Sequence, residues 1–371
     1  MSAPSQDDAR AALSHFATSG TLAALEPHTS GLINHSWLAS LASAGSLRCY
    51  LLQQINRHVF RRPADVLENM QRITSHLSRR LAREGAPDAT RRVLSLVPTR
   101  DGAAGHVDGR GETWRLVPWI EGTRCVERAA TPADARETAR AFGHFVRRLA
   151  DLPPPALHAT IPAFHDTRAR LRSLEGVIGE DPAGRVAACR EEIEALLDRR
   201  PLAAALDGPA AAGGIPARPV HNDAKIANVL FDVATGEALA VVDLDTTMPG
   251  LAAHDFGDLV RSSVSDSEED ERDLARVRVR RPVFAALASG YLAGIGDALT
   301  PGERAQLVTG AHVIVFEQAV RFLADHLDGD RYYRIARPGH NLDRARAQLR
   351  LVAALESASP ELEQIVAQAA G

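Results

Sequence analysis

The sequence predicts an α+β protein in two parts: a small strand-rich region with one long helix over residues 1–118, and a mainly helical region over residues 119–371. Three observations carry this reading. Apolar stretches of strand length crowd the first third of the chain, and helix-start signals with 3.6-residue periodicity dominate the remainder. A chain of 371 residues is also long enough for about two cores.

Taken in order, SWLASLA and LRCYLLQQI alternate or run apolar at strand length on either side of Ala44-Gly45-Ser46. Arg62-Pro63-Ala64-Asp65 opens a helix that runs to Gly85 through Val66, Met70, Ile73 and Leu77. RVLSLVPT and TWRLVPWI bracket a Gly/Asp-rich turn from Asp101 to Gly111 and read as a hairpin. After Glu121-Gly122 the pattern turns helical. Thr131-Pro132-Ala133-Asp134 has the form of a capping box with proline at the first helical position, leading into Phe142, Phe145 and Leu149. Thr300-Pro301-Gly302-Glu303 repeats the device before a long helix to about Leu327 that is apolar nearly all round, so it should be buried. Between these helices, Ala203 to Pro219 is rich in Ala, Gly and Pro and reads as a surface loop.

Composition removes several classes of function. An apolar fraction of 45% with 24% charged residues is that of an ordinary globular protein. The net charge of −4, with basic residues scattered along the chain, argues against a nucleic-acid partner. Cys49, Cys125 and Cys189 stand far apart and suggest neither a disulfide framework nor a zinc knuckle. The polar start MSAPSQDDAR lacks the apolar core of a secretory signal, and no apolar run reaches the roughly 20 residues of a membrane span. A cytoplasmic protein with no membrane partner is the expectation. Of the 43 basic residues only Lys225 is a lysine, so it stands where a compact ammonium serves and a planar guanidinium does not.

That lysine lies in PVHNDAKIANVLFD, the most informative stretch of the chain. His221, Asp223 and Asn228 fit the H-x-D-x-x-x-x-N spacing of a phosphotransferase catalytic loop, and an apolar run downstream ends in Asp243. Phosphoryl transfer needs a carboxylate to orient the acceptor hydroxyl and take its proton, a role for Asp223. It also needs hard oxygen donors for Mg2+ on the phosphates of ATP, which Asn228 and Asp243 supply. Lys225 provides a cation beside the base. His221 braces the loop backbone. Asp245 is open between binding metal and capping its turn. The letters D-F-G at Asp255–Gly257 do not end a strand, so Asp255 and Asp258 are expected to bond loop groups from a helix start while Asp243 keeps the metal role.

VHNDAKIANVLFD, VVDLDTTMPGLAAHDFGD, IPAFHDTRAR and RFLADHLDGDRYYR closely resemble the N-acetylhexosamine 1-kinase family, within the wider aminoglycoside-phosphotransferase-like group. GLINHSW and YLLQQINRHVF fit as well, so the resemblance runs from about Gly31 to Gln348. It implies a bilobal protein-kinase-like fold, with Asp223 as base, Asn228 and Asp243 on magnesium, and Val117, Pro118, Trp119 and Ile120 as a hinge offering backbone groups to adenine. It places Arg321 and Tyr332 among sugar contacts, although an i,i+4 pair of Arg321 with Asp325 would also satisfy that buried cation. No strand lysine exists to meet the phosphates, and YLLQQIN offers Gln53 or Gln54 there instead. Thr29-Ser30-Gly31 reads equally as a phosphate-covering turn or an ordinary hairpin, and His165 and Asp166 as structural or functional residues.

The implied reaction moves the ATP γ-phosphate to the C1 hydroxyl of a hexose or N-acetylhexosamine. One alternative keeps the fold and takes an aminoglycoside or another small alcohol. A second, of another class, is a nucleotide-binding pseudokinase regulator, against which the intact Asp223, Asn228 and Asp243 count. A zinc hydrolase lacks support because His221 and His254 have no ligand spacing.

Overall fold

The computed structural model describes residues 4–29, 33–43 and 45–369. In chain order its first elements are α1 (Gln6–Leu13), β1 (Thr21–His28), β2 (His35–Ser43), β3 (Ser46–Gln54), α2 (Pro63–Arg83), β4 (His106–Val107), β5 (Thr113–Pro118) and β6 (Thr123–Arg124). There follow α3 (Pro132–Leu149), α4 (Thr167–Glu180), α5 (Arg190–Asp198), α6 (Asp207–Ala211), β7 (Arg218–Val220), β8 (Val229–Asp232) and β9 (Ala238–Val241). The chain closes with α7 (Ala252–Ser263), α8 (Arg281–Ile295), α9 (Pro301–Ala305), α10 (Leu307–Leu327) and α11 (His340–Ala369). Two compact units result, and the mixed α+β architecture is the one expected. The first takes the chain up to Arg124 with Asp151–Pro162 and Leu230–Pro249, and the second takes the rest.

The first unit is built on an antiparallel sheet of order β1-β2-β3-β5-β4. Alternation along the strands turns Trp37, Ala39, Leu41, Leu52, Trp114 and Leu116 to one face, where α1 lays Ala9, Ala12 and Leu13 over them. The other register positions include Gln53, paired with Arg115 across β3 and β5. Helix α2 buries Val66, Met70, Ile73 and Leu77, the stripe expected from the sequence. RVLSLVPT differs from expectation. It forms no strand, although the Val97 N–H donates to the Leu116 carbonyl of β5 at 2.8 Å. The partner of β5 is instead the two-residue β4, inside the expected turn. Pro98 has no N–H with which to extend a ladder. Asp151–Pro162 joins this unit through α2: Asn69 exchanges two 2.9 Å hydrogen bonds with the His158 backbone, and Arg72 donates to the Pro153 carbonyl at 2.9 Å. A smaller sheet of order β6-β8-β9 packs Leu239 and Ala240 against Ile120.

The second unit is helical. Both expected capping boxes form, Thr131 with Asp134 and Thr300 with Glu303, although the second opens the short α9 and Gln306 breaks the run before α10. The stretch expected to be a surface loop contains α6, and Leu206 and Ile215 are buried against Ala253 and Val313. Its apolar residues have a partner that local composition does not reveal. Helix α10 also corrects the expectation of no long apolar run: by length and composition it could cross a membrane. Its apolarity is spent on the core, with 72% of that stretch buried, including Ile314, Phe316, Val320 and Leu323.

Helices α7 and α10 meet backbone to backbone. A Cβ on Gly257 would run into the Gly310 carbonyl, and one on Gly310 into that of Ala253. This contact sets the spacing between the two helices. Gly310→Ala is therefore expected to destabilise the protein by about 1–3 kcal/mol through overpacking, although alanine is the better helix former by roughly 1 kcal/mol. Urea denaturation measures the sign, and a more stable variant would contradict the close approach.

Candidate active site

Strand β7 delivers the chain into the loop His221–Asn228. His221 is fully buried, with its ring edge-on to Phe142 and Phe145 of α3 at 5.2 and 5.8 Å. Its Nδ1 accepts the Asp223 backbone N–H at 3.3 Å, a bracing role as expected. Asn222 has φ of 62°, a left-handed conformation that asparagine tolerates better than most residues. The backbone N–H groups of His221 and Asn222 donate to the two carboxylate oxygens of Asp255 at 2.9 and 2.7 Å. Asp255 sits in the first turn of α7, so the D-F-G letters mark a helix start there. Burial pushes its carboxyl up to about 6 against the pull of those N–H groups. Asp258, one turn on, pairs with Arg261 at 2.6 Å.

Asp223, Lys225 and Asn228 come together. Asp223 Oδ2 accepts from Lys225 Nζ at 2.8 Å and from Asn228 Nδ2 at 3.0 Å, while the same amide nitrogen donates to the Asp223 carbonyl at 2.9 Å. Asn228 is buried, and Asp223 and Lys225 keep 28% and 32% of their side chains accessible. Burial opposes ionisation of Asp223, but Lys225, His221 and Arg261 outweigh it and hold the carboxyl at about 2. Oδ2 thus takes both side-chain donors, and an ionised carboxylate so arranged can accept a hydroxyl proton on its other oxygen. Asn228 likewise keeps its amide oxygen, a hard donor.

In the first unit, β9 ends in a turn where Asp243 is exposed with φ of 60°. Asp245 does not share that exposure. It is buried, paired in two-pronged fashion with Arg115 (Nη2 to Oδ2, 3.0 Å) and accepts from Asn34 Nδ2 at 2.7 Å. The Thr160 hydroxyl donates to its carbonyl at 2.7 Å. Of the two roles open to Asp245 the structure favours the structural one. Gln53 Oε1 accepts from Arg115 Nε at 3.0 Å, and its amide nitrogen donates to Ser36 at 3.1 Å. Arg115 escaped the sequence reading, although a lone cation inside the apolar strand TWRLVP was a visible signal. At the expected hinge, Val117 and Pro118 end β5, Ile120 is buried, and Trp119, 39% exposed, donates its N–H to the Cys49 carbonyl at 2.9 Å. Thr29-Ser30-Gly31 falls partly outside the described residues.

On α10, Arg321 lies over the rings of Phe164 and Tyr333 at 5.7 and 5.6 Å and donates to Gln318 at 3.1 Å. The alternative pair with Asp325 does not form. Asp325 accepts instead from the backbone N–H groups of Tyr332 and Tyr333 at 2.7 and 2.9 Å and from Asn341 at 2.9 Å. Tyr332 is 66% exposed and meets the Tyr333 ring edge-on. Asp166 caps α4 by accepting the Ala169 N–H.

The profile of the phosphotransferase enzyme family (APH) matches residues 24–292, and the chain belongs to that family. It is similar along 96% of both chains to an aminoglycoside phosphotransferase from Alicyclobacillus acidocaldarius, at 18% identity and a TM-score of 0.57. A choline kinase from Cryptosporidium parvum aligns over 96% of this chain and 95% of its own, at 13% identity and a TM-score of 0.51. A Plasmodium vivax ethanolamine kinase aligns over 87% and 82%, at 12% identity and a TM-score of 0.52. These likenesses establish a protein-kinase-like fold.

Arg115→Met should cost about 3–5 kcal/mol because it strands the buried Asp245 carboxylate. Adding Asp245→Asn should recover most of that loss. Chemical denaturation of the single and double variants checks the pairing, and simple additivity would refute it.

Proposed function

We propose that the protein is a cytoplasmic, ATP- and Mg2+-dependent kinase that phosphorylates the C1 hydroxyl of a hexose or N-acetylhexosamine, with residues 1–118 serving the nucleotide and 119–371 the acceptor. The observation that carries the reading is the arrangement at Asp223, where Lys225 and Asn228 both donate to one oxygen of a carboxylate that can accept a hydroxyl proton on the other. A carboxyl held at about 2 is a weak base toward an alcohol. Asp223 therefore orients the hydroxyl first and takes its proton late, as the bond to phosphorus forms, in keeping with a loose transition state. Lys225 donates to Asp223 and brings a positive charge that stabilises the transferring group.

Among the described residues no cluster of His, Cys, Asp or Glu could hold a metal alone, which suits an ion that shares its ligands with phosphates. Asn228 Oδ1 and the Asp243 carboxylate are the donors for it. Magnesium supplies charge neutralisation on the phosphates when bound. Val117 to Ile120 face adenine in this reading. Gln53 stands on the phosphate side in place of a strand lysine, its side chain oriented by Arg115 and Ser36.

A sugar acceptor is supported by Arg321, a hydrogen-bond donor beside aromatic faces, with Tyr332 exposed next to it. Aromatic groups are how quaternary ammonium ligands are held. Here Phe164 and Tyr333 already carry the guanidinium of Arg321, which disfavours choline-like and aminoglycoside acceptors.

Screening free sugars for ADP release, with phosphorus NMR of the product, tests the reading: an anomeric phosphate is expected, and a phosphate on another hydroxyl or on an aminoglycoside would replace it. Asp223→Asn should lower kcat by about 10²–10⁴ while ADP binding by calorimetry is retained. Because wild-type Asp223 stays ionised, it should contribute no acid limb to kcat above about pH 4. Lys225→Arg keeps charge but brings a bulkier planar group, so kcat should fall at least tenfold, about 1.4 kcal/mol. An unchanged kcat at saturating sugar and Mg-ATP would reduce Lys225 to a solvated loop residue.

A further inference from the structure

His165 lies in the irregular segment before α4, its side chain 9% exposed and in contact with the catalytic loop. Its Nδ1 is 2.9 Å from Glu317 Oε1 and its Nε2 is 3.0 Å from the Asn222 carbonyl oxygen. A carbonyl only accepts, so Nε2 carries a proton. The proton between Nδ1 and Glu317 belongs on the imidazole, whose ordinary pKa of about 6.5 exceeds that of a glutamate by roughly two units. Thr167 donates to the other carboxylate oxygen at 2.6 Å, and Arg321 one turn further along α10 also favours the ionised carboxylate.

We propose that His165 is a positioning residue for the transfer loop, a buried imidazolium whose two N–H groups tie the Asn222 carbonyl to Glu317 on α10. This rests on the kinase reading above. With it, the peptide groups flanking Asn222 are gripped from both sides: Asp255 takes the N–H and His165 the carbonyl. Asn222 is left-handed and directly precedes Asp223, so an unclamped carbonyl would free that turn to relax and swing the catalytic carboxylate. Glu317 also sits one helical turn before Arg321, so a single bracket links the catalytic loop to the helix assigned to the acceptor.

The surrounding groups are consistent with a charged ring. Burial opposes protonation of His165, but Glu317, the Asn222 carbonyl and Asp258 overcome it and raise its pKa. Glu317 is held at about 2 despite its burial, by His165 first and Arg321 second. His254 of α7, its ring tilted against His165 at 4.8 Å, is pulled down to about 3 by burial and by His165, and stays neutral. Phe164 meets the ring edge-on and carries no charge. Since the folded pKa is raised, the stabilisation is complete below about pH 6.5 and is lost as pH rises through the folded value.

The test needs no substrate. Nitrogen-15 NMR of histidine-labelled protein, with His165 assigned by its loss in His165→Gln, should show both ring nitrogens still protonated at neutral pH, above the ordinary histidine value. A singly protonated ring at neutral pH overturns the proposal whatever the enzyme does. In kinetics, His165→Gln should lower kcat by about tenfold or more while Mg-ADP affinity stays within about twofold, and Glu317→Gln should add little on top. Lower thermal stability with unchanged kcat would make His165 merely structural. If wild type bears a doubly protonated His165 yet releases no ADP with any alcohol, the kinase reading fails and the positioning role fails with it, while the buried imidazolium stands.

Discussion

Two consecutive backbone N–H groups, those of His221 and Asn222, end on the two oxygens of one buried carboxylate, Asp255. Unpaired at this depth, each would cost about 1–3 kcal/mol. Satisfied, they force the chain to reverse through a left-handed Asn222, and Asp223 and Asn228 take their places from there. The first turn of α7 is a favourable place for that carboxylate, since the helix dipole adds positive potential. The glycine contact of α7 with α10 then sets how far the carboxylate lies from the helix that bears Glu317 and Arg321. Loop geometry thus depends on an anchor outside the loop.

The distribution of cations follows the shapes of their partners. Arg115 meets a flat carboxylate with a flat fork, and Arg321 lies over two aromatic faces. Both uses exploit a planar, weakly hydrated cation. At Asp223 the cation must share one oxygen with an amide and leave the other clear, which a point charge does with less bulk. The only lysine of the chain is found there.

What was legible in the sequence was local. The contacts of Asp223 with Lys225 and Asn228 close within the loop, so spacing alone conveyed them, although the loop's backbone is anchored outside it on Asp255. Thr131 and Thr300 cap helices through partners three residues away, and the pattern of α2 needs only its own periodicity. What escaped was long-range. Arg115 finds Asp245, and His165 finds Glu317, through folds in the chain that no window of sequence contains. RVLSLVPT has the composition of a strand, but β5 has its hydrogen bonds filled by β3 and β4. The Ala/Gly/Pro stretch hid α6 because the surface that buries Leu206 belongs to Ala253 and Val313, far along the chain.

The long-range pairing also bears on the order in which the protein can take shape as it is synthesised. The first unit is not finished when the ribosome has passed Arg124, because two later segments return to it. Until residue 245 emerges, the sheet holding Arg115 has an interior cation with no counter-ion, and full packing around it would be unfavourable. The nascent sheet is thereby kept loose until Asp223 and Asn228 have been added, and can close while α7 and α10, which bring Asp255 and Glu317, are still to be made. A fragment ending at Arg124 inherits the same defect permanently, so this part of the molecule cannot be exchanged between relatives as one continuous cassette.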